Sequence, residues 1–529
     1  MSPRTDHDGA HAHPAADGAR YPTIVETLVS RARTGPDLPY LTSVAADGAT
    51  ATMSFGQLDA WSARCRHWLR TALGVARDDV VGLLPVNDPA SVVALFGLLR
   101  AGAVCLVLNP ADPPARIHDQ LAARGAKAVL CASPADAERL GHGAVAVPRF
   151  ERAPDPVGDA ADAAVRLDDD ALFFGTSGST AAAKTVAQTH RNAAANAEAL
   201  RRHHRLRAGD RVLGFLPVHH VNGVHTTLFA PLRAGAHVVL AAAFDPFAYP
   251  GLIERFRPRI ASAVPSVLDT LLATWREPRL PSGFDYFLTA AAPLSVRTAH
   301  DVHRRLGARI VQGYGLTETT NFATTMPIDL SPDAYRAVMV DTDVPPVGVP
   351  LFGNEVTVLD PAGRPVPPGE VGEVCMRGHN VMSRYAGNPE ATDEAFRGGW
   401  FHSGDLGRRA LDPHTGRELL VLTGRLKNIA KVHGEAVSLE EMEHALRRLD
   451  GVADAACLAV PDPVEGESVV AVVVTGTGRE ADIRRHLGAC FPPHALPRRI
   501  ILAPRIPRTP TGKLQRPRLL AEFGLTPPD

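Results

Sequence analysis

Val80-Val81-Gly82-Leu83-Leu84-Pro85, followed by Asp88-Pro89, Ser91 to Arg100, Gly102 and a second apolar run from Val104 to Leu108, is the stretch from which the fold can be read. The first run is short and continuously apolar, as a strand buried on both faces requires. Asp88 supplies a helix N-cap and Pro89 a first-turn proline. Apolar residues then recur at helical spacing from Ser91 to Arg100 until Gly102 stops them. A strand, a helix and a strand in that order form a crossover unit, so the two strands are expected to be parallel.

The pattern repeats along the chain. Ala128 to Cys131, Val212 to Leu216, Val238 to Leu240, Ile260 to Val264, Phe287 to Ala290 and Ile310 to Gln312 read as strands. Ser266 to Trp275 and Ser295 to Leu306 read as helices between them. The bulk is therefore α/β, a large N-terminal domain of mostly parallel sheets flanked by helices. After about Pro345 the texture changes. Asn354 to Asp360, a Pro361-Ala362-Gly363-Arg364 turn and Gly372 to Arg377 form a small β-rich subdomain over about 345–423. Beyond Thr423-Gly424 lies a smaller α+β domain, 424–529, with a helix from Leu439 to Leu449, strands at Ala455 to Val460 and Val469 to Val474, and a helix from Glu480 to Leu487.

With 529 residues the chain exceeds one ordinary domain, and 45% apolar residues suffice for large cores. A net charge of −1 gives no electrostatic case for nucleic acid or an anionic membrane. Six cysteines without a CxxC spacing indicate neither a zinc site nor a disulfide framework, so a reducing cytoplasm is expected. Residues 1–20 are polar, lack an apolar signal-peptide core and read as a disordered tail, leaving a domain over 21–423. Val92 to Leu108 is the most apolar window, and it is too short and too interrupted to span a bilayer.

Four short elements carry chemistry. Thr176-Ser177-Gly178-Ser179-Thr180-Ala181-Ala182-Ala183-Lys184 follows a strand-like Ala171 to Phe174. Small residues there let N–H groups and hydroxyls close around phosphate oxygens, with Lys184 as a point charge, although a surface loop has the same composition. It is not the GxxxxGK[ST] pattern. Gln312-Gly313-Tyr314-Gly315-Leu316-Thr317-Glu318 brings an aromatic ring, a hydroxyl and a carboxylate to a strand end. Gly399-Trp400-Phe401-His402-Ser403-Gly404-Asp405-Leu406-Gly407 and Pro507-Arg508-Thr509-Pro510-Thr511-Gly512-Lys513 complete the set. Each alone is also what an ordinary exposed turn would show.

In this order and at these separations the four resemble the adenylate-forming superfamily of acyl-CoA synthetases, luciferases and peptide-synthetase adenylation domains, over about Tyr21 to Gln515. The resemblance implies ATP-dependent activation of a carboxylic acid, with ATP, Mg²⁺ and coenzyme A as cofactors, in a protein whose C-terminal domain is mobile. It implies that Thr176, Ser177, Gly178, Ser179, Thr180 and Lys184 hold phosphates and that Tyr314 stacks on adenine beside Ala291. Thr317 would contact phosphate, Glu318 would bind Mg²⁺ with Thr317, and Asp405 and Arg425 would take the ribose. Lys513 would reach the α-phosphate. His220, Asn222, Thr226, Ala290, Gly313 and Gly315 would wall the acyl site, Lys427 would be the hinge, and Lys431 and Gly434 would face the site when a thiol arrives. Ala181, Ala183 and Thr185 depart from the family's usual Gly, Pro and Gly, which bears on ATP handling.

The expected activity is formation of an acyl-adenylate with release of pyrophosphate, then of an acyl-CoA thioester. Transfer to the phosphopantetheine of an acyl carrier protein or to another nucleophile, and activation of an oxyanion such as nitrite, are rivals within the family. A non-catalytic nucleotide sensor is the rival outside it. A polar Asn222 and Thr226 where relatives carry apolar residues favour an acid with a polar group beyond its carboxylate.

Overall fold

The computed structural model describes residues 21–141, 143–152, 162–176, 184–276, 280–433, 435–463, 465–476, 480–509, 512–525 and 527. Strand Val80–Leu84 pairs in parallel with Val104–Val107 on one side and Ala128–Cys131 on the other. The helix between them, Pro89–Ala101, starts where Asp88 Oδ1 accepts a hydrogen bond from the Ser91 N–H at 2.7 Å, and it is buried over most of its length. It therefore lies inside the domain with no solvent-facing side, packed against helix Phe55–Ala72.

Among the described residues the strands form four sheets. A seven-stranded sheet holds the unit just described. A nine-stranded sheet holds Arg211–Gly214, His237–Ala241, Ile260–Ala263, Tyr286–Thr289 and Arg309–Tyr314, which run parallel to one another. Each sheet also carries antiparallel pairing at an edge, which the sequence reading had not anticipated. Asp170–Gly175 and Thr185–Thr189 make a hairpin, and Arg309–Tyr314 pairs antiparallel with Thr324–Thr325. The phosphate-loop candidate thus connects the two strands of a hairpin, and Thr185 is an ordinary strand residue opposite Gly175.

The β-rich subdomain is an antiparallel sheet of Asn354–Leu359, Gly372–Gly378, Phe401–Leu411 and Glu418–Arg425. Its core residues Met376, Phe401 and Leu420 pack with Tyr314, Val186 and Tyr385, so this sheet closes over the ends of the other two. The last strand runs to Arg425, slightly past the boundary read from sequence, because Asp405 and Arg425 continue the ladder. A 3-10 turn, Leu426–Asn428, leads into the C-terminal sheet of Ile429–Val432, Glu435–Ser438, Val452–Asp462, Gly466–Thr475 and Arg499–Leu502. Lys431 stands on strand Ile429–Val432, which pairs antiparallel with Glu435–Ser438. No helix among the described residues is long and apolar enough to cross a membrane.

Candidate active site

Where strand Arg309–Tyr314 ends, its last residue turns inward. The Tyr314 hydroxyl donates to Asp405 Oδ2 at 2.8 Å, and Asp405 Oδ1 meets Arg425 Nε at 2.6 Å. Asp405 is only 3% exposed. Burial, then the Asp405 charge, holds the Tyr314 phenol well above its ordinary pKa, so it stays a neutral donor. Asp405 is likewise the first cause of the raised pKa of Arg425. A carboxylate has about four acceptor positions, and two remain for ligand hydroxyls.

Strand Phe401–Leu411 delivers Asp405 through a small polar scaffold. Ser403 Oγ donates to the Val374 carbonyl at 2.6 Å and accepts the Asp405 N–H at 3.0 Å. Glu373 Oε1 accepts the Gly404 N–H, while Glu373 Oε2 meets His402 Nδ1 at 2.7 Å and Arg397 at 3.1 Å. Glu373, Cys375 and His402 are close enough to suggest a metal site. However, both His402 nitrogens and both Glu373 oxygens already have partners, and a guanidinium sits on the carboxylate. The cluster braces Asp405.

On the phosphate side, Tyr385 joins two residues that the sequence had singled out separately. Its hydroxyl donates to Glu318 Oε1 at 2.9 Å, and Lys184 Nζ lies 4.7 Å from its ring centroid. No sequence pattern marks Tyr385, which arrives on the two-residue strand Arg384–Tyr385 paired with the strand after Lys184. Thr317 and Glu318 sit in a 3-10 turn held from behind. Gln188 Nε2 donates to the Thr317 carbonyl at 3.0 Å, and the Met382 N–H donates to the Glu318 carbonyl at 2.6 Å. Gln188 Oε1 in turn bonds His225 Nε2 at 2.9 Å, tying this turn to the next wall. The Thr176 N–H donates to the Lys184 carbonyl at 2.9 Å, closing the hairpin loop, whereas Ser177, Gly178, Ser179, Thr180, Ala181 and Ala183 lie outside the described residues. Hard oxygen ligands suit Mg²⁺. The Glu318 carboxylate, held by a phenol and facing the lysines, and the Thr317 hydroxyl fit that requirement.

The third wall follows strand Arg211–Gly214. The His219 and His220 rings meet at a tilt of 52° with centroids 4.4 Å apart, and burial lowers their pKa values to about 3 and about 4. The Lys513 charge is the second cause at His220. The chain continues as a π-helix, Gly223–Phe229, preceded by Asn222. Asn222 Oδ1 is buried without a partner among the described contacts, and Thr226 Oγ1 accepts from Asn321 Nδ2 at 2.6 Å. At about four residues per turn, Asn222 and Thr226 share a face of this helix. Ala290 is buried, and Ala291 adopts the left-handed φ of 72°. Gly313 lies against the Phe322 ring, and a Cβ on Gly315 would fall 1.7 Å from the Asn321 carbonyl oxygen. These two glycines let segment 321–322 press against the strand end.

The C-terminal domain contributes Lys513 and Lys427. Lys513 is exposed, though the protein near its ammonium partly desolvates it. Burial lowers its pKa first, Arg425 next, with Glu318 and Asp405 opposing. Lys427 is lowered by burial and then by Arg425. Gly512 sits over the N-terminal domain, with its Cβ direction 3.5 Å from Ala292 Cβ and Ser266 Oγ. Lys431 is exposed, and Gly434 lies outside the described residues.

The arrangement gathers four cations, Lys184, Arg425, Lys427 and Lys513, and two carboxylates, Glu318 and Asp405, around one cleft between two domains. A family model described as AMP-binding enzyme matches residues 28–386, and one described as AMP-binding enzyme C-terminal domain matches 441–513. The chain is 34% identical to a feruloyl-CoA synthase of Amycolatopsis over 506 residues, covering 94% of this chain and 98% of the relative. It is 32% identical to the sulfoacetate–CoA ligase of Cupriavidus necator over 519 residues, with the same coverages. ATP-bound MatB from Rhodopseudomonas palustris superposes with a TM-score of 0.81 at 27% identity, covering 95% of this chain and 99% of that one. The o-succinylbenzoate CoA synthetase of Bacillus subtilis, in complex with its acyl-adenylate, gives 0.81 at 25% identity, covering 95% and 98%.

Proposed function

We propose that this chain, which belongs to the AMP-binding enzyme family, joins a small carboxylic acid bearing a second polar group to coenzyme A through an acyl-adenylate. In the first half-reaction a carboxylate oxygen bonds to the α-phosphorus of ATP, the bond to the β-phosphate breaks, and pyrophosphate leaves. In the second, the thiol sulfur bonds to the acyl carbon, AMP leaves with the shared oxygen, and the thiol proton is released. Neither step needs much acid–base chemistry from the protein. Both need reactants held in line and phosphate charge balanced.

The observation that supports this reading is the seat of Lys513: a Cβ on its neighbour Gly512 would lie 3.5 Å from Ala292 Cβ and Ser266 Oγ of the N-terminal domain, and Lys513 feels the charges of Arg425, Glu318 and Asp405. In that position it neutralises charge growing on the α-phosphate, with Lys184 serving the outer phosphates. Tyr314, Asp405 and Arg425 hold the nucleoside. Mg²⁺ would be held by Glu318 and Thr317 and would add charge neutralisation to the phosphates. For the second half-reaction the C-terminal domain turns about Lys427, withdraws Lys513 and presents Lys431 and Gly434 to the incoming thiol. The six cysteines are all unpaired and five are buried, in keeping with a reducing cytoplasm.

The acid's polar group follows from the third wall. A buried acceptor without a partner costs about 1–3 kcal/mol, and Asn222 Oδ1 is one. Thr226, accepting from Asn321, keeps its own proton to donate. A hydroxyl, amine or second carbonyl on the acid satisfies these groups, and an alkyl chain does not. The test compares kcat/KM for hydroxy- and amino-substituted benzoates and cinnamates with octanoate and palmitate, in the wild type and in Asn222→Leu. The wild type should prefer the substituted acids, and the variant should move toward apolar acids by on the order of 10-fold. A wild-type preference for palmitate, or no shift in the variant, overturns the assignment. Running the same acids with a phosphopantetheinylated carrier protein in place of coenzyme A decides the acceptor.

A further inference from the structure

Lys513 does not place itself. It lies in a short turn, and the contacts that shape this turn come from an ion pair well away in sequence. The Thr509 N–H donates to the Lys513 carbonyl at 2.8 Å, the Lys513 N–H to Thr509 Oγ1 at 3.0 Å, and the Gly512 N–H to the Thr509 carbonyl at 2.8 Å. Arg508 clamps the turn from one end. Its Nη1 donates to the Gly512 carbonyl at 3.0 Å, while Nε and Nη2 make a two-point contact with Asp454 at 3.0 and 2.8 Å. Asp454 stands on strand Val452–Asp462, where Arg447 also donates to Oδ1 at 3.2 Å and the Ala455 N–H at 2.8 Å. Arg447 and the Ala455 N–H thus fix the carboxylate, the carboxylate fixes the Arg508 guanidinium, and the guanidinium fixes the carbonyl next to Lys513.

The clamped turn rests on the N-terminal domain. Gly512 lies over Ser266 and Ala292, and Asp269, one turn along helix Pro265–Thr274, feels the Asp454 charge. Asp269 is held above its ordinary pKa chiefly by burial, the Thr298 hydrogen bond opposing and the Asp454 charge adding to the rise. The clamp therefore sits at the junction where the C-terminal domain docks.

We propose that Arg508, oriented by Asp454, is the positioning residue that aims Lys513 at the α-phosphate, so that the pair serves adenylation and not thioester formation. This rests on the function proposed above. A two-point guanidinium–carboxylate contact has a fixed geometry that a point charge lacks, so lysine is a poor substitute at 508.

The test separates the half-reactions in Arg508→Gln, Arg508→Lys and Asp454→Asn. Pyrophosphate exchange, with the best acid of the panel, should slow on the order of 10- to 100-fold, as expected when a reacting group is misplaced by about 1 Å. Thioester formation from the supplied adenylate of that acid should stay within about 3-fold of wild type. In a Lys513→Ala background, Arg508→Gln should produce no further slowing of exchange, because residues acting as one unit are not additive. A readout independent of the acid is acetylation of Lys513 by sulfo-N-hydroxysuccinimidyl acetate, followed by peptide mass spectrometry. It should run several-fold faster in the variants than in the wild type. Equal slowing of both half-reactions, additive effects with Lys513→Ala, or unchanged acetylation overturns the proposal. Absence of exchange in the wild type with every acid would instead count against the acid ligase reading, and the acetylation rates would still decide the clamp. Should Arg508→Gln fail to fold, Arg508→Lys and Asp454→Asn carry the same comparisons.

Discussion

Replacing Asp405 by Asn keeps the shape of the side chain and removes its charge, which makes the consequences calculable. In the fold, the carboxylate accepts from Tyr314 and pairs with Arg425, whose side chain is 39% exposed. Breaking a fully buried pair costs about 3–5 kcal/mol, and solvent around Arg425 lowers that to about 1–2 kcal/mol. The asparagine can still accept from Arg425, and the Tyr314 hydroxyl can turn to accept from the new amide. Asp405→Asn should therefore fold, with a modestly lowered Tm. Its effect on nucleotide binding should be larger. Two ribose hydroxyls donating to a carboxylate make bonds of about 1.5–3 kcal/mol each, against about 0.5–1.5 for neutral ones. The net loss of about 2–3 kcal/mol weakens AMP binding on the order of 30- to 150-fold. Isothermal titration with AMP and thermal unfolding of the same samples measure the two effects side by side. An unchanged AMP Kd with a lowered Tm would refute the reasoning, for it would make Asp405 an anchor for Tyr314 and Arg425 and nothing more.

Tyr385→Phe removes the hydroxyl that holds Glu318, so adenylation should slow about 5- to 30-fold, with the KM for the acid unchanged; an unchanged rate would remove Tyr385 from the site. Gly315→Ala drives a methyl into the Asn321 backbone and should cost more than about 4 kcal/mol or abolish soluble expression, whereas Gly251→Ala, in open space on helix Tyr249–Phe256, should leave the Tm unchanged or raise it. Wild-type-like stability of Gly315→Ala in a denaturant titration would contradict the described close approach. Buried histidines with lowered pKa values, among them His190 and His220 at about 4 and His225 at about 3, stay neutral in the fold but take up protons in the unfolded chain below about pH 6.5. The unfolded state then binds more protons, so stability is full above about pH 6.5 and falls as pH drops toward 5; a Tm at pH 5 equal to or above that at pH 7.5 would contradict this.

Much of this molecule was legible because its core strands are continuous apolar runs and its helices start and stop on local chemistry. Val80–Leu84, Ala128–Cys131 and helix Leu439–Arg448 stand almost where their patterns put them, since burial on both faces or on one stripe leaves a local trace. The antiparallel edges left no such trace: Thr185–Thr189 and Thr324–Thr325 are short and gain their pairing from neighbours. The site divides along the same line. Tyr314, Glu318, Asp405 and Lys513 fall in compact motifs and are brought to one cleft. Tyr385, Gln188 and the Arg508–Asp454 pair act across 67, 129 and 54 positions of chain, through contacts that exist only after folding. The π-helix at Gly223–Phe229 was also invisible, because its seven residues are all buried and carry no helical stripe.

The central claim is that a carboxylate oxygen of the acid becomes bonded to the α-phosphorus of ATP. An acid labelled with ¹⁸O in its carboxylate, incubated with ATP, Mg²⁺ and coenzyme A, tests it directly by mass spectrometry of the products. The account predicts AMP carrying one ¹⁸O atom, unlabelled pyrophosphate and an acyl-CoA that retains the other ¹⁸O. Label in inorganic phosphate with ADP as the nucleotide product, or ATP bound and left intact with every acid, would contradict it.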